Sequence, residues 1–77
     1  MIDYINENAE GAVLLSGFDD CIIGVVSEFG NGNRVLYSKE KIIKSLMKDM
    51  DEEEANEYFD YNIIGGHFGE QNPVFLI

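Results

Sequence analysis

The amino-acid sequence predicts an α+β fold, with a small antiparallel sheet covered by two helices in the order β-β-α-α-β. The sheet is expected to consist of a β-hairpin and a C-terminal strand. Three observations predict this fold: a β-branched run before an Asn-Gly turn, two amphipathic stretches behind helix-capping residues, and a short apolar segment at the C-terminus. Because 77 residues with 45% hydrophobic content support one core, residues 1–77 are expected to form a single domain.

The hairpin is predicted between residues 21 and 37. Residues 21–29 are rich in Ile and Val and predict a strand. The glycine- and asparagine-rich residues 30–33 favour a tight turn, because such turns need a positive φ. Residues 35–37 then predict the returning strand. Residues 1–10 show no firm pattern, so a short helix and a loosely ordered arm both stay open.

The first predicted helix spans about residues 39–49, with Ser38 as its N-cap. The helical period separates the side chains of this stretch into an apolar side and a basic side. The apolar side contains Ile42, Ile43, Leu46, Met47 and Met50, and the basic side contains Lys41, Lys44 and Lys48.

The second predicted helix begins at Asp51, with Glu54 completing a capping box, and ends at Gly65-Gly66. Its expected buried stripe is Ala55, Tyr58, Phe59 and Ile63, and its expected outward face is Glu53, Glu57 and Asp60. Pro73 can only open the last strand, residues 74–77, which is expected to pair with the hairpin.

The charges are unevenly distributed along the chain, whose net charge is −10. All five basic residues lie between residues 34 and 48, and the segments on both sides carry only acidic charges. Such a balance disfavours direct binding to nucleic acid or to anionic membranes. A single cysteine, the absence of a long apolar run and an N-terminus without a basic region predict a cytoplasmic protein.

Neither of the two candidate catalytic side chains has the neighbours that catalysis requires. Cys21 opens an apolar run and is expected to have no nearby basic residue that lowers its pKa, which favours a buried structural thiol. His67 is the only histidine, and no closely spaced nucleophile or carboxylate supports it as a general base. We therefore expect no catalytic residues, no enzyme activity and no cofactor.

The acidic residues do not form a convincing metal site either. Asp49, Asp51, Glu53, Glu57 and Asp60 match positions 1, 3, 5, 9 and 12 of a calcium loop, but position 6 is Glu54 instead of glycine. Too few Cys and His residues are present for zinc, so no metal site is assigned, although weak binding by scattered carboxylates stays open. Asp19-Asp20 is expected in a turn, with a paired-carboxylate site as its alternative.

The second helix carries a ridge of carboxylates that its ordinary interpretation, a solvated face, does not fully explain. Glu53, Glu57 and Asp60 would follow one another about 5–6 Å apart, a spacing comparable to that of nucleic-acid phosphates. Like charges at this spacing destabilise the helix, which suggests a basic partner. The predicted partner-binding residues are Asp49, Asp51, Glu53, Glu54, Glu57 and Asp60.

Several short segments of the sequence, from about residue 12 onward, together form a recognisable pattern. They include residues 14–20, 22–25, 35–37, 53–55 with Tyr58-Phe59, and 73–75. This set resembles a family of small acidic proteins encoded by bacteriophages and prophages, largely uncharacterised and without assigned catalytic residues. Cys21 and His67 stand where that family usually has a small residue and a larger aromatic, so the resemblance implies no catalytic role for either.

Three functions of different classes follow from these observations. The first is a phage-type interaction protein that binds a basic host or defence protein, in its sharpest form as a nucleic-acid mimic and anti-CRISPR-like inhibitor. The alternative is a structural or accessory adaptor that homodimerises, with the three helix lysines of one copy against the carboxylate ridge of another. An enzyme with an unrecognised site ranks last.

Overall fold

The structure, a computed structural model, describes residues 2–28, 32–64 and 71–77. It confirms the predicted α+β fold and the order β-β-α-α-β, which an additional N-terminal helix precedes. The elements are α1 (Ile2–Asn8), a 3₁₀ turn (Asp19–Cys21), β1 (Ile22–Glu28), β2 (Gly32–Ser38), α2 (Lys39–Leu46), α3 (Glu52–Tyr58), a π-helical continuation of α3 (Phe59–Ile64), and β3 (Val74–Leu76).

The predicted hairpin is present, with β1 antiparallel to β2 and Val25 opposite Val35. The register shifts between Ile22 and Gly24, where one residue is inserted into the ladder. Gly32 has a φ of 69°, a left-handed conformation of the kind that the predicted turn requires. Residues 29–31 of that turn lie outside the described residues.

The sheet is mixed and not wholly antiparallel as predicted, because β3 runs parallel to β2. Leu36 lies opposite Val74, and Ser38 lies opposite Leu76, in the strand order β1-β2-β3. A two-residue turn can join only antiparallel strands, whereas a connection of a dozen or more residues also permits the parallel direction. The long connection that contains α2 and α3 provides that length, so strand direction was not determined by local pattern.

Residues 1–10, for which two possibilities were open, contain α1 rather than a loose arm. Ile5 and Ala9 lie one helical turn apart, and both are buried in the core. The Ala9 N–H donates to the Ile5 carbonyl at 2.7 Å, extending the helical pattern. The N-terminal segment is therefore part of the folded domain.

Gln71 connects three segments that are distant in sequence. Its side-chain Nε2 donates to the Asn33 carbonyl at 2.9 Å and to the Glu10 carbonyl at 3.4 Å. Its own carbonyl accepts from the Val13 N–H at 3.1 Å. At Gly11, which has a φ of 84°, a Cβ atom would lie only 3.1 Å from the Gln71 Oε1, so glycine allows this close approach.

Both predicted helix caps are present. The Ser38 Oγ accepts from the Lys41 N–H at 3.2 Å, and the Asp51 Oδ1 accepts from the Glu54 N–H at 2.8 Å. The first predicted helix ends at Leu46 instead of residue 49, and residues 47–50 form turns. Ile42 at its centre is fully buried.

An aromatic cluster joins α3 to the sheet. The Phe59 ring meets the Phe75 ring edge-on with centroids 5.2 Å apart, and Tyr37 lies on Phe75 at 6.1 Å. The Lys39 ammonium lies 5.3 Å from the centroid of Phe59. Tyr37 and Phe59 are both completely buried, so this cluster fixes the orientation of α3.

The predicted buried stripe of α3 is correct at three positions and wrong at Tyr58. Ala55, Phe59 and Ile63 are buried, but Tyr58 is 42% exposed. The three buried residues are spaced by four, and Tyr58 lies at the edge of the stripe that they form, so its ring reaches solvent. The predicted end at Gly65-Gly66 lies outside the described residues.

Within residues 2–28, 32–64 and 71–77, no helix has the length and apolar character that crossing a membrane requires.

Candidate functional site

The six carboxylates predicted to bind a partner are all exposed and follow one another along the turn before α3, α3 itself and its π-helical continuation. We call them the acidic surface. They are Asp49, Asp51, Glu53, Glu54, Glu57 and Asp60. None of them forms an ion pair with a described residue; the one such pair, Lys44 Nζ to Glu40 at 3.2 Å, lies on α2. The acidic surface is therefore not neutralised by the described part of the chain.

The opposite side of α3 holds the acidic surface in position. Ala55 and Phe59 are completely buried, so the helix cannot rotate without exposing them. This anchoring turns Glu54 and Glu57 toward solvent, since they lie on the other side of the helix. Asp51 also has a structural role, because its carboxylate caps α3.

The predicted ridge extends beyond α3. Glu53 and Glu57 lie on α3, whereas Asp60 lies in the π-helical continuation, and all three are exposed. Glu57 also lines a surface cavity together with Tyr61, which neither Glu53 nor Asp60 lines.

That cavity, which we call the tyrosine hollow, is an open depression of about 320 Å³ on the outer side of α3. Its walls are Met50, Glu54, Glu57, Tyr58, Tyr61 and Asn62. Tyr61 is 81% exposed, so its ring is accessible from solvent. Sequence reasoning missed both tyrosines as site residues, although 54, 57, 58 and 61 have the i, i+3, i+4, i+7 spacing of one helical face.

The opposite charge is concentrated on α2. A second cavity of about 350 Å³ is lined by Lys41, Lys44 and Lys48, with Ser45, Asp20, Gly17 and Cys21. Three of the five basic residues of the chain therefore face one depression. The molecule thus presents a basic surface on α2 and the acidic surface on α3.

Cys21 lies buried at this second cavity, as predicted for a structural thiol, and is 3% exposed. Burial raises the pKa of the Cys21 thiol above its ordinary value of 9.0, and Asp20 raises it further. Lys41 and Lys48 lower the pKa, so the expectation that no basic residue is near Cys21 is wrong in three dimensions. Burial is the largest effect, however, and it keeps the thiol protonated and a poor nucleophile at neutral pH.

The other candidate sites from the sequence are the calcium-loop match, the Asp19-Asp20 pair and His67. The calcium-loop match falls on α3, whose regular helix does not provide the loop geometry of such a site. Among the described residues, no three His, Cys, Asp or Glu side chains come together as metal ligands. Asp19 and Asp20 are exposed and lie in the 3₁₀ turn, in agreement with the turn prediction. His67 lies outside the described residues.

Comparison with known proteins adds no identification. No protein family, no curated protein and no solved structure matches the chain. The resemblance to small acidic phage proteins therefore stays an expectation, and the functional argument rests on the geometry of the acidic surface.

Proposed function

We propose that the protein is an interaction protein that binds a partner protein with a basic surface through its acidic surface. The observation that carries this proposal is the combination of six exposed carboxylates with a helix anchored on its far side by fully buried residues. A rigid, unneutralised row of charges can meet a basic groove without first being ordered.

The energetics of α3 support the same proposal. Glu53 and Glu57 are four residues apart on the helix, and like charges at this spacing cost a few tenths of a kcal/mol per pair. A net charge of −10 adds repulsion across the whole domain. Contact with a basic partner reduces both the repulsion within α3 and the repulsion across the domain. This reduction favours the bound state over the free protein.

In its sharper form the proposal is nucleic-acid mimicry. Basic grooves of nucleases are built to bind rows of phosphates, and exposed carboxylates about one helical turn apart offer a similar row. The resemblance to small acidic phage proteins narrows the partner to a host or bacterial defence protein, such as a CRISPR or restriction nuclease in the bacterial cytoplasm. The protein would then act as an inhibitor that excludes the nucleic acid.

Displacement of a labelled DNA duplex from purified CRISPR and restriction nucleases tests this proposal. We expect displacement from at least one nuclease, and we expect it to weaken from about 0.1 M to about 1 M salt, where the Debye length falls from about 10 to about 3 Å. The variant E53Q/E54Q/E57Q should lose about tenfold or more in affinity, equivalent to about 1.4 kcal/mol.

A matched control separates the acidic surface from overall charge. The variant D3N/E7Q/E10Q removes three exposed carboxylates near α1, so both variants change the net charge from −10 to −7. We expect the control to bind nearly as well as the natural chain. Equal losses in both variants, or no displacement from any nuclease, would contradict the proposal.

Homodimerisation is the second candidate, and the lysine-lined cavity on α2 favours it. Lys41, Lys44 and Lys48 of one copy could contact Glu53 and Glu57 of another, and the contact would form twice around a two-fold axis. Sedimentation equilibrium at low and high salt tests this candidate. A dimer that dissociates with salt supports it, and a monomer at low salt contradicts it.

A further inference from the structure

We propose that the tyrosine hollow is a binding site for an arginine side chain of the basic partner. This inference rests on the proposed function and specifies the chemical group that the acidic surface recognises. It concerns Glu54, Glu57, Tyr58 and Tyr61, which line the hollow. The two tyrosines are uncharged and do not belong to the acidic surface.

The hollow brings two kinds of recognition group together. Glu54 and Glu57 provide carboxylates, while Tyr58 and Tyr61 provide aromatic rings that are 42% and 81% exposed. Met50 adds an apolar wall, and the Asn62 amide adds a hydrogen-bonding group. At about 320 Å³ the hollow lies at the lower limit of ligand pockets, which are about 300–1,000 Å³, so it suits one side chain better than a cofactor.

Arginine matches this combination of carboxylates and aromatic rings better than lysine does. Its guanidinium group is planar, stacks on aromatic rings and can bind a carboxylate through two parallel hydrogen bonds. A lysine ammonium is a more strongly hydrated point charge without a flat face. Carboxylates alone would attract either cation, so the tyrosines are the feature that selects arginine.

The backbone explains why the hollow exists. Burial of Phe59 and Ile63 fixes the inner side of the π-helix, and Tyr61, four residues after Glu57, lines the outer side with it. Insertions of this kind interrupt regular helices and are frequent at functional sites. Tyr58 and Tyr61 both lie outside the core, so both rings are available to a partner.

Titration with two small blocked amino acids tests the inference. N-acetyl-arginine amide and N-acetyl-lysine amide carry the same charge, and their binding can be followed by NMR shifts of the backbone amides. We expect arginine amide to bind about two- to fivefold more tightly, because its flat guanidinium stacks on a tyrosine ring while it binds a carboxylate, and this advantage over lysine is about the size of one exposed cation–π contact. The largest shifts should fall on α3 and its π-helical continuation, with smaller shifts on α1.

Substitution of one tyrosine provides the control. Y61L should reduce arginine amide binding to the level of lysine amide, whereas Y4L should leave it unchanged. Tyr4 is a suitable match because it is 53% exposed and lies on α1 near the acidic Asp3 and Glu7. Circular dichroism of both variants should show the natural helix content, since neither ring is buried.

Failure of this inference can be told apart from failure of the proposed function. Equal binding of the two amides, unaffected by Y61L but weakened by E53Q/E54Q/E57Q, would overturn the arginine site and leave the acidic surface as an attractor of cations. Binding of nuclease that is indifferent to E53Q/E54Q/E57Q would instead overturn the proposed function. The arginine site would also be overturned if the largest NMR shifts of the backbone amides fell outside α3 and its continuation.

Discussion

The substitution Tyr37→Phe removes one oxygen atom from the centre of the core and should destabilise the protein measurably. Tyr37 is completely buried, and its hydroxyl accepts a hydrogen bond from the Leu15 N–H at 2.8 Å. Phenylalanine keeps the ring and its contact with Phe75 but leaves the buried N–H without this acceptor. An unsatisfied buried donor costs about 1–3 kcal/mol, so we expect the free energy of unfolding to fall by that amount.

Urea unfolding followed by far-UV circular dichroism measures this loss. A change of 1 kcal/mol shifts the melting temperature of a domain this small by about 4–8 °C, so thermal unfolding provides a second measurement. The control is Tyr4→Phe, because Tyr4 is 53% exposed and such substitutions usually change stability by less than about 0.5 kcal/mol. A loss in Tyr37→Phe no larger than in this control would refute the assignment of the hydrogen bond as stabilising.

The Tyr37 hydroxyl should also make the stability of the protein depend on pH. Burial raises the pKa of Tyr37 above its ordinary value of 10.0, with further increases from Asp19 and Cys21, and the hydrogen bond from Leu15 lowers it. Because the folded state holds this proton more tightly, the corresponding stability is present below pH 10 and is lost as pH rises through the raised pKa. The difference between ultraviolet titrations of the natural chain and Tyr37→Phe should show a tyrosine that ionises above pH 10.0.

Four further predictions concern the rest of the molecule. Gln71→Ala should cost about 1–2 kcal/mol in urea unfolding, because two backbone carbonyls lose its amide donor; a loss within experimental error would show that these bonds do not stabilise the fold. Asp51→Ala should cost about 1 kcal/mol through the lost cap, whereas Asp49→Ala should cost less than half of that, and equal losses would contradict the capping role. Cys21 should react with iodoacetamide at pH 8 at least about tenfold faster in urea than in the folded state, because burial raises its pKa, and equal rates would show that the thiol is accessible. Sodium chloride should raise the melting temperature, because it screens the repulsion among charges that sum to −10, and a decrease would contradict this account.

The parts of the fold that depend on neighbouring residues were predictable. Ser38 and Asp51 cap the two helices as expected, because a cap needs only a side-chain oxygen and an N–H three residues later. The hairpin likewise depends on a glycine- and asparagine-rich segment directly after the β-branched run of β1. Each of these features involves residues only a few positions apart, so the sequence shows it directly.

The candidate site was predictable only in part. The exposed position of Glu53, Glu54 and Glu57 followed from their charge and helical spacing. The exposure of Tyr58 did not, because an aromatic residue at helical spacing beside Phe59 has the same pattern whether it is buried or not. The π-helix that follows Tyr58 was not predicted either, because no local signal in the sequence indicated it.

The sequence by itself determined that the protein is a small acidic α+β domain, where α2 and α3 begin, and that its positive charges are confined to residues 34–48. Tertiary structure decided the parallel direction of β3, the docking of α1, the three-way contact of Gln71 and the approach of Lys41 to Cys21. The physical reason is distance along the chain. A cap or a turn is complete within a few residues, whereas each of the latter features forms only when distant segments bury a common core.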